Sequence, residues 1–276
     1  MRAACDWLKQ RSLSCVWQTL QKCGLRLKRS RDHVHSPDLH YVEKLADIVQ
    51  ALEAALRSDG RIIVVFADEL SFFRQPTAAR DWCVIGARRQ PLAERSLRRD
   101  TCGRIAGGLD ALTGQTTSLI ASKLGIAQLV QFWQALRAAY PAAEVIYVVI
   151  DNWPVHFHPD VLAALEPQRT RWELKTPPNW GREPSAKAQR LNLPLQLLPL
   201  PTYASWCNPI EKLWRWLKQE LLHLHRAADD WPQLKAQIQE FLERFREGSA
   251  ELLRYVGLTP KSKLFGALFA QQASPP

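Results

Sequence analysis

The sequence predicts an α/β fold in which a mixed β-sheet is flanked by helices. Two continuous runs of β-branched and other apolar residues, at 61–67 and 144–150, are typical of strands buried on both faces of a sheet. Amphipathic helical patterns separate these runs, and this order favours helix-linked, parallel strands. The length of 276 residues suits one large domain with a smaller appendage.

Composition excludes several classes of protein. A hydrophobic content of 46% is ordinary for a globular chain, and no apolar run approaches the ~18 residues that a membrane span needs. The six cysteines form no CxxC pair, which argues against a zinc ribbon and a disulfide scaffold. The start of the chain has no apolar signal core, so we expect a protein of the reducing cytoplasm. The net charge of +10 favours a polyanionic partner.

The first 36 residues are predicted to form a small, basic helical segment. Residues 1–40 carry eight Lys or Arg against three Asp. Ser14 suits the N-cap of a short helix that ends at Cys23, and residues 3–10 are also compatible with a helix. Two short helices with a basic exit resemble the back half of a helix-turn-helix, although a two-helix cap with a solvated basic face fits the pattern equally well. The basic residues after the second helix include Arg26, Lys28 and Arg29.

Hydrophobic periodicity predicts the remaining elements. Thr113-Gly114 predicts a tight turn between two paired strands. Residues 167–194 are rich in Pro, Arg and Trp and are predicted to form a long loop. We predict helices over residues 41–56, 126–140, 159–165, 208–223 and 232–246, and strands over residues 61–67, 82–87, 104–112, 115–122, 144–150 and 195–198.

Two carboxylates stand where the two buried strands are predicted to end. Asp68 follows the first strand and Asp151 follows the second. Because ligand sites in α/β sheets gather at the carboxyl ends of strands, neighbouring strands would bring these side chains together. Two carboxylates so close repel each other, and the pair implies a bound cation or a raised pKa. Each Asp taken singly is also typical of a turn.

A third acid, Glu211, lies at the start of an amphipathic helix. Asn208 suits the N-cap of that helix and Pro209 its first position, so Glu211 completes a pattern that resembles a capping box. Glu211 also lies off the apolar face, with Arg215 and Lys218 following on its own side. A carboxylate beside two cations suits a site where metal and phosphate meet. The capping role and the site role can coexist.

The segment from Leu198 to Trp214 contains Asn208-Pro209-Ile210-Glu211 and resembles the third catalytic block of DDE transposases of the mariner-like superfamily, in its bacterial insertion-sequence branch. Asp151-Asn152, with His156 five positions after the Asp, resembles the second block. Asp68-Glu69 after an apolar strand resembles the first block. The resemblance spans roughly 165 residues of the chain, and its third block is the most specific.

The resemblance implies a ribonuclease-H-like fold in which Asp68, Asp151 and Glu211 hold Mg²⁺ or Mn²⁺, in a two-ion site for cleavage and transfer of DNA strands. It also implies DNA partners, namely the terminal inverted repeats of an element and its target, and a homodimer that pairs two ends. Such a protein would be associated with the nucleoid and would have no membrane partner. Residues expected to support the ligands are Asn152, His156 and Asn208, and those expected to bind DNA are Arg26, Lys28, Arg29, Arg215 and Lys218.

On this basis we divide the chain into four parts. A partial helix-turn-helix segment (1–36) precedes a linker helix (37–60), and a catalytic domain (61–225) precedes a C-terminal helix and tail (226–276). A complete helix-turn-helix needs one more helix in front, so we expect the N-terminal segment to be incomplete.

The catalytic domain departs from the family pattern at two places. The 59 residues between Asp151 and Glu211 exceed the spacing that is typical of the family, and the excess falls in the predicted loop at 167–194, which we interpret as an insertion. The family's Tyr-Ser-Pro element is Tyr203-Ala204-Ser205 here and lacks the proline.

Two other functions remain open at this point. A repurposed, catalytically silent DNA-binding protein would keep the fold without the chemistry. A structure-selective nuclease on the same fold would cut DNA but would not join the cut 3′ end to a target.

Overall fold

A computed structural model describes residues 12–26, 36–84, 90–173 and 176–259. The chain divides into two compact units, Met1–His35 and Ser36–Pro276. Within the described ranges, no helix combines the length and the apolar character that crossing a membrane would require.

The first unit contains helix α1, Leu13–Lys22. Its N-cap is Ser12, whose side chain accepts a hydrogen bond from the backbone N–H of Cys15 at 3.2 Å. The prediction of Ser14 as the cap was wrong, because Ser14 already lies in the first helical turn. Gly24, with φ of 75°, follows the helix in the left-handed conformation that glycine adopts easily. The helix predicted over residues 3–10 lies outside the described residues.

The second unit is built on a mixed sheet of five strands in the order β3-β2-β1-β4-β5. The first three strands form an antiparallel meander, while β4 and β5 run parallel to β1. This confirms the predicted mixed sheet. The strands are β1 (Ile62–Phe73), β2 (Cys102–Asp110), β3 (Thr116–Ala121), β4 (Val145–Ile150) and β5 (Leu195–Pro199).

Helices cover both faces of this sheet. Successive residues of β1 belong to different cores, because side chains alternate across a strand. Val64 and Phe66 pack with helices α2, α5, α6 and α7, and Val65 and Ala67 pack with α3 and α4. The helices are α2 (Tyr41–Leu56), α3 (Ile126–Ala139), α4 (Pro159–Leu162), α5 (Ile210–Leu217), α6 (Trp231–Glu243) and α7 (Ala250–Val256), with 3₁₀ turns at Pro154–Phe157 and Ser205–Cys207 and a π-helical turn at Lys218–Leu222.

Helix α5 is fixed to the sheet by its apolar face. Ile210, Leu213, Trp214 and Leu217 are all buried, and each such side chain contributes about 1.5–3 kcal/mol. Gly107 on β2 makes the close approach possible, because a Cβ at this position would clash with the ring of Trp214. The geometry of this helix relative to β1 is therefore set by packing.

The structure differs from the prediction in a strand end, in a predicted strand and in one further helix. Strand β1 extends six residues beyond the predicted end at Ala67, because β2 continues to pair with it as far as Phe73. Residues 82–84 of the predicted strand at 82–87 have no regular structure, and its other residues lie outside the described ranges. Helix α7 was not predicted.

The edge strand β5 is closed by side chains of the residues that precede it. The amide of Gln168 donates to the carbonyl of Leu195 at 3.0 Å and accepts from the N–H of Leu197 at 2.8 Å. Gln196 in turn accepts from the backbone N–H of Arg169 at 2.9 Å. Gln168 thus takes the place of a further strand along part of the edge.

Candidate active site

The ends of two parallel strands bring Asp68 and Asp151 to the same region. Phe66 of β1 pairs with Val149 of β4, so two further residues along each strand lead to the two acids. Strand β4 ends at Ile150, and Asp151 follows it as predicted. The sequence predicted that Asp68 follows the end of its strand. This was wrong, because Asp68 lies inside β1, opposite Gly107 of β2. The prediction that neighbouring strands carry the two acids is confirmed.

Asp68 lies among acidic side chains in a largely buried position. Burial, followed by the negative charges of Glu211, Glu69 and Asp151, raises the pKa of Asp68 to about 7. Its Oδ2 accepts a hydrogen bond from the indole Nε1 of Trp214 at 2.9 Å. The carboxylate is thus held in place by a neutral donor while three acids repel its charge.

Glu69 points to the opposite side of β1, where it meets His156. The Nε2 of His156 lies 2.9 Å from Oε1 of Glu69, and its Nδ1 lies 3.4 Å from Oδ1 of Asp151. The histidine is 1% exposed. Burial alone would lower its pKa, but the hydrogen bond to Glu69 and the charges of Glu69 and Asp151 outweigh burial and raise it. The imidazolium form therefore fits this site.

Glu69 is a site residue that the sequence analysis did not single out. Its carboxylate and one side-chain atom each of Asp151 and His156 lie within 4.8 Å of one another. The signal for Glu69 in the sequence was its position directly after Asp68, at the end of a predicted strand. Because neighbouring strand residues face opposite sides, two consecutive acids in a strand reach two different surroundings.

Glu211 is exposed on the first turn of α5 and lines an open cleft of about 500 Å³. Arg215 and Lys218 line the same cleft and are also exposed, as their spacing from Glu211 predicts. The other residues that line it are Ser205, Trp206, Asn208, Lys212, Gln219 and His223. A carboxylate with two cations on one wall can attract both a metal ion and the phosphate that the metal binds.

Asn208 does not cap α5, and the predicted capping box is absent. No side chain caps this helix, and Pro209 occupies the N-cap position. The amide of Asn208 instead donates to the carbonyl of Ala67 at 3.1 Å. This bond ties the start of α5 to β1, one residue before Asp68. Its Oδ1 is buried without a hydrogen-bond partner among the residues that the structure describes.

Asn152 and the Asp151 turn fix the end of β4. The amide of Asn152 donates to the carbonyl of Leu200 at 2.8 Å. Asp151 Oδ1 accepts from the backbone N–H of Trp153 at 2.9 Å, which is the turn interaction that an Asp favours. The turn interpretation and the site interpretation of Asp151 are therefore compatible.

The basic residues predicted to bind DNA are distributed over both units. Arg26 is exposed in the first unit, and Lys28 and Arg29 lie outside the described residues. Arg215 and Lys218 line the cleft that also contains Glu211.

The donor set suits a hard divalent cation. Asp68, Asp151 and Glu211 offer carboxylate oxygens, which Mg²⁺ and Mn²⁺ prefer. Their mutual repulsion, expressed in the raised pKa of Asp68, is the kind that a bound cation relieves. These residues therefore fit a metal site.

Comparison with known proteins gives two sequence matches. A family described as "DDE superfamily endonuclease" matches residues 63–235, which is more than half of the chain. The "Insertion element IS630 uncharacterized 39 kDa protein" of Shigella sonnei is 22% identical over 234 residues, which cover 85% of this chain and 59% of that protein. The chain therefore spans less than two thirds of the length of this curated relative.

Solved structures of the Mos1 mariner transposase have a similar fold. A paired end complex with Mn has a TM-score of 0.57 at 16% identity, covering 92% of this chain and 69% of that one. A pre-cleavage transpososome has a TM-score of 0.58 at 15% identity, covering 100% of this chain and 75% of that one. This likeness confirms the predicted ribonuclease-H-like fold.

Proposed function

The chain belongs to the DDE superfamily endonuclease family, and on that premise we propose that it is a transposase that cuts DNA strands and transfers them with the help of divalent cations. The observation that carries the proposal is that the paired strands β1 and β4 bring Asp68 and Asp151 together, where burial and the charges of Glu211 and Asp151 raise the pKa of Asp68. The relative from Shigella sonnei is named as an insertion-element protein, and the Mos1 complexes are named as transposase assemblies. Both names support this reading.

Asp68, Asp151 and Glu211 would hold Mg²⁺ or Mn²⁺, and two ions would fit a reaction at a phosphodiester. Two such ions, when bound, activate the attacking oxygen and stabilise the leaving oxygen. Asp68 would be one of the ligands, because burial and the charges of Glu211 and Asp151 raise its pKa and a bound cation would relieve that repulsion. Solved Mos1 complexes contain Mn or Mg, which supports the choice of cation.

The surrounding side chains would hold these carboxylates in position. The N–H of Trp214 orients Asp68, and the imidazolium of His156 lies between Glu69 and Asp151. Asn208 fixes the start of the helix that carries Glu211. Because the ligands are oriented in advance, little free energy is lost in arranging them when the cations bind.

The substrate would be DNA, bound through its phosphates. Arg215 and Lys218 can neutralise phosphates in the cleft beside Glu211, and Arg26, Lys28 and Arg29 can do so from the first unit. Joining an element to a target requires two ends, so we propose a homodimer that acts on terminal inverted repeats. The paired-end complexes of Mos1 support this arrangement.

The test incubates the full chain with Mn²⁺ and a duplex that carries the inverted repeats flanking its gene, together with a target plasmid. We expect cut ends and joined products, and we expect neither from Asp151→Asn, which should still bind the duplex. Nicking by that variant at the wild-type rate contradicts the assignment of Asp151. Binding without products identifies a silent DNA-binding protein, and cutting without joining identifies a nuclease.

A further inference from the structure

The start of helix α2 is fastened to the segment that leads into Glu211. Asp38 Oδ2 accepts from the backbone N–H of Thr202 at 2.8 Å and from Nζ of Lys44 at 2.8 Å. Ser36 Oγ donates to the carbonyl of Thr202 at 2.6 Å. One peptide unit on each side of Thr202 is therefore held by residues that precede α2.

The Asp38–Lys44 ion pair is buried, with side chains only 7% and 11% exposed. Burial alone would raise the pKa of Asp38, but the hydrogen bonds from Lys44 and from the N–H groups of Thr202 and His40 hold it well below its usual range. The carboxylate is therefore ionised and fully engaged. Removal of either partner of a buried pair leaves the other charge uncompensated.

A second contact holds the same segment nearer to Glu211. The hydroxyl of Tyr41 lies 3.3 Å from Sγ of Cys207 and accepts from Nε1 of Trp206 at 3.2 Å. Trp206 lines the cleft that contains Glu211. The loop at 202–207 is thus held at both ends. Residues before α2 bond to Thr202, and Tyr41 in the first turn of α2 contacts Trp206 and Cys207.

The predicted insertion contacts α2 next to this pair. The ring of Trp172 lies 5.6 Å from Nζ of Lys44 and 5.1 Å from the ring of His40. Its Nε1 donates to Oδ2 of Asp47 at 2.9 Å. Lys44 therefore contacts both Asp38 and the indole of Trp172.

The loop at 202–207 needs such external contacts. It has Ala204 and Ser205 after Tyr203 and no proline in this stretch, so its backbone has more freedom in the absence of partners. Tyr203 has a φ of 55°, a left-handed conformation that costs a residue with a side chain about 1 kcal/mol or more. Surrounding contacts must hold the loop in this form.

We propose that Asp38 is a positioning residue for Glu211, and that Trp172 of the insertion supports it by holding Lys44. This inference rests on the proposed function, since it assumes that Glu211 binds a cation. Asp38 does not touch the cleft; it acts through Thr202 and the loop at 202–207. The insertion therefore contributes to the metal site from outside it.

The test measures Mn²⁺ binding to the full chain without DNA, from the electron paramagnetic resonance signal of free Mn²⁺. Asp38→Asn keeps the shape but removes the ion pair, and we expect Mn²⁺ affinity to fall about tenfold. Trp172→Leu should lower it by a smaller factor in the same direction. Glu53→Gln is the matched control for Asp38, because it removes an acid of α2 from an exposed ion pair. Trp180→Leu, in the same insertion but against His158, is the control for Trp172.

The outcomes separate the inference from the proposed function. If Glu211→Gln binds Mn²⁺ as well as the wild type does, the proposed metal site itself is wrong. If Glu211→Gln binds weakly but Asp38→Asn binds like the wild type, only the positioning role is overturned. If Trp172→Leu matches Trp180→Leu, the part played by the insertion is overturned.

A second variant covers the case in which Asp38→Asn does not fold. Tyr41→Phe removes one hydroxyl and keeps the ring, and we expect Mn²⁺ affinity to fall about threefold. Thermal unfolding, followed in parallel, identifies a merely structural effect. A lower melting temperature with unchanged Mn²⁺ affinity in Tyr41→Phe would show that the loop at 202–207 does not position Glu211, and the role of Asp38, which acts through that loop, would be overturned.

Discussion

Asp68 and Glu69 are consecutive residues of one strand, yet they lie on opposite sides of the sheet in opposite electrostatic surroundings. Asp68 faces the α5 side, where the neutral indole of Trp214 donates a hydrogen bond to it at 2.9 Å. Glu69 faces the α3 side, where the buried imidazole of His156 approaches within 2.9 Å. Burial and acidic neighbours raise the pKa of Asp68, whereas Glu69 has a partner whose own raised pKa favours the charged form.

This difference in surroundings distinguishes a proposed metal ligand, Asp68, from a residue that supports the site, Glu69. An acid whose charge is uncompensated gains most from a bound cation, and an acid paired with an imidazolium gains least. We therefore propose that Asp68 binds the metal and that Glu69 holds His156 against Asp151. Replacing each acid by its amide should then have opposite effects on stability.

The largest effect is expected from Asp68→Asn. Cleavage in the presence of Mn²⁺ should fall by at least about a thousandfold, because a ligand at the centre of the acidic site is lost. The free energy of unfolding at pH 8 should rise, by up to on the order of 4 kcal/mol for a pKa moved from 3.8 to about 7. Denaturant titration and a plasmid-nicking assay measure the two quantities.

The pH dependence of this stability gain provides the control. The folded pKa of Asp68 is raised, so the wild type binds more protons in the folded state and loses stability as pH rises from about 4 to about 7. The advantage of Asp68→Asn should be complete above pH 7 and absent below pH 4. An advantage of equal size at both extremes would show that packing, and not the charge of Asp68, causes it.

Glu69→Gln should act in the opposite direction on stability and less strongly on cleavage. The buried His156 loses its charged partner, so the free energy of unfolding should fall by about 1–3 kcal/mol. Cleavage should fall by about 10- to 100-fold, as for other residues that orient a metal ligand. The pKa of His156, followed by NMR titration, should also fall. An unchanged pKa would show that Glu69 does not set the charge of this imidazole.

The smallest effect on the site is expected from substitutions of two adjacent glycines of β2, Gly107 and Gly108, which face opposite sides of the sheet. A Cβ at Gly107 would clash with Trp214, and one at Gly108 would come within 2.7 Å of Val65. Both Gly107→Ala and Gly108→Ala should destabilise the fold by about 1–3 kcal/mol. Only Gly107→Ala should weaken Mn²⁺ binding, because it displaces the indole that orients Asp68. Equal Mn²⁺ affinities in the two variants would show that Trp214 does not contribute to Mn²⁺ binding.

Local patterns were sufficient to predict the elements that depend on local residues. The run before Asp151 was predicted as a strand over 144–150, and β4 spans Val145–Ile150. Helix α2 was predicted with its observed bounds, since its apolar periodicity is regular. The acids at 68, 151 and 211 were predicted as site residues because each stands in a characteristic local context, and their role remains a prediction.

The features that were not predicted depend on contacts between residues that are far apart in the sequence. Asp68-Glu69 has the appearance of a strand end, but β2 pairs with β1 beyond both residues. The partner of Glu69 lies 87 positions away, and Asn208, whose context favours a helix cap, bonds to Ala67, 141 positions away. Trp172 likewise reaches α2 across 125 positions. Such contacts depend on the assembled sheet and leave no signal in a short window of sequence.

The amide of Gln168 against the edge of β5 has a consequence for how the chain behaves while it folds and at high concentration. An open edge strand offers its N–H and C=O groups to any other extended chain, which promotes aggregation. Gln168 occupies part of that edge from within the predicted insertion. Shortening the predicted insertion so that Gln168 is lost should therefore expose this edge, and we expect the shortened chain to aggregate more readily at high concentration.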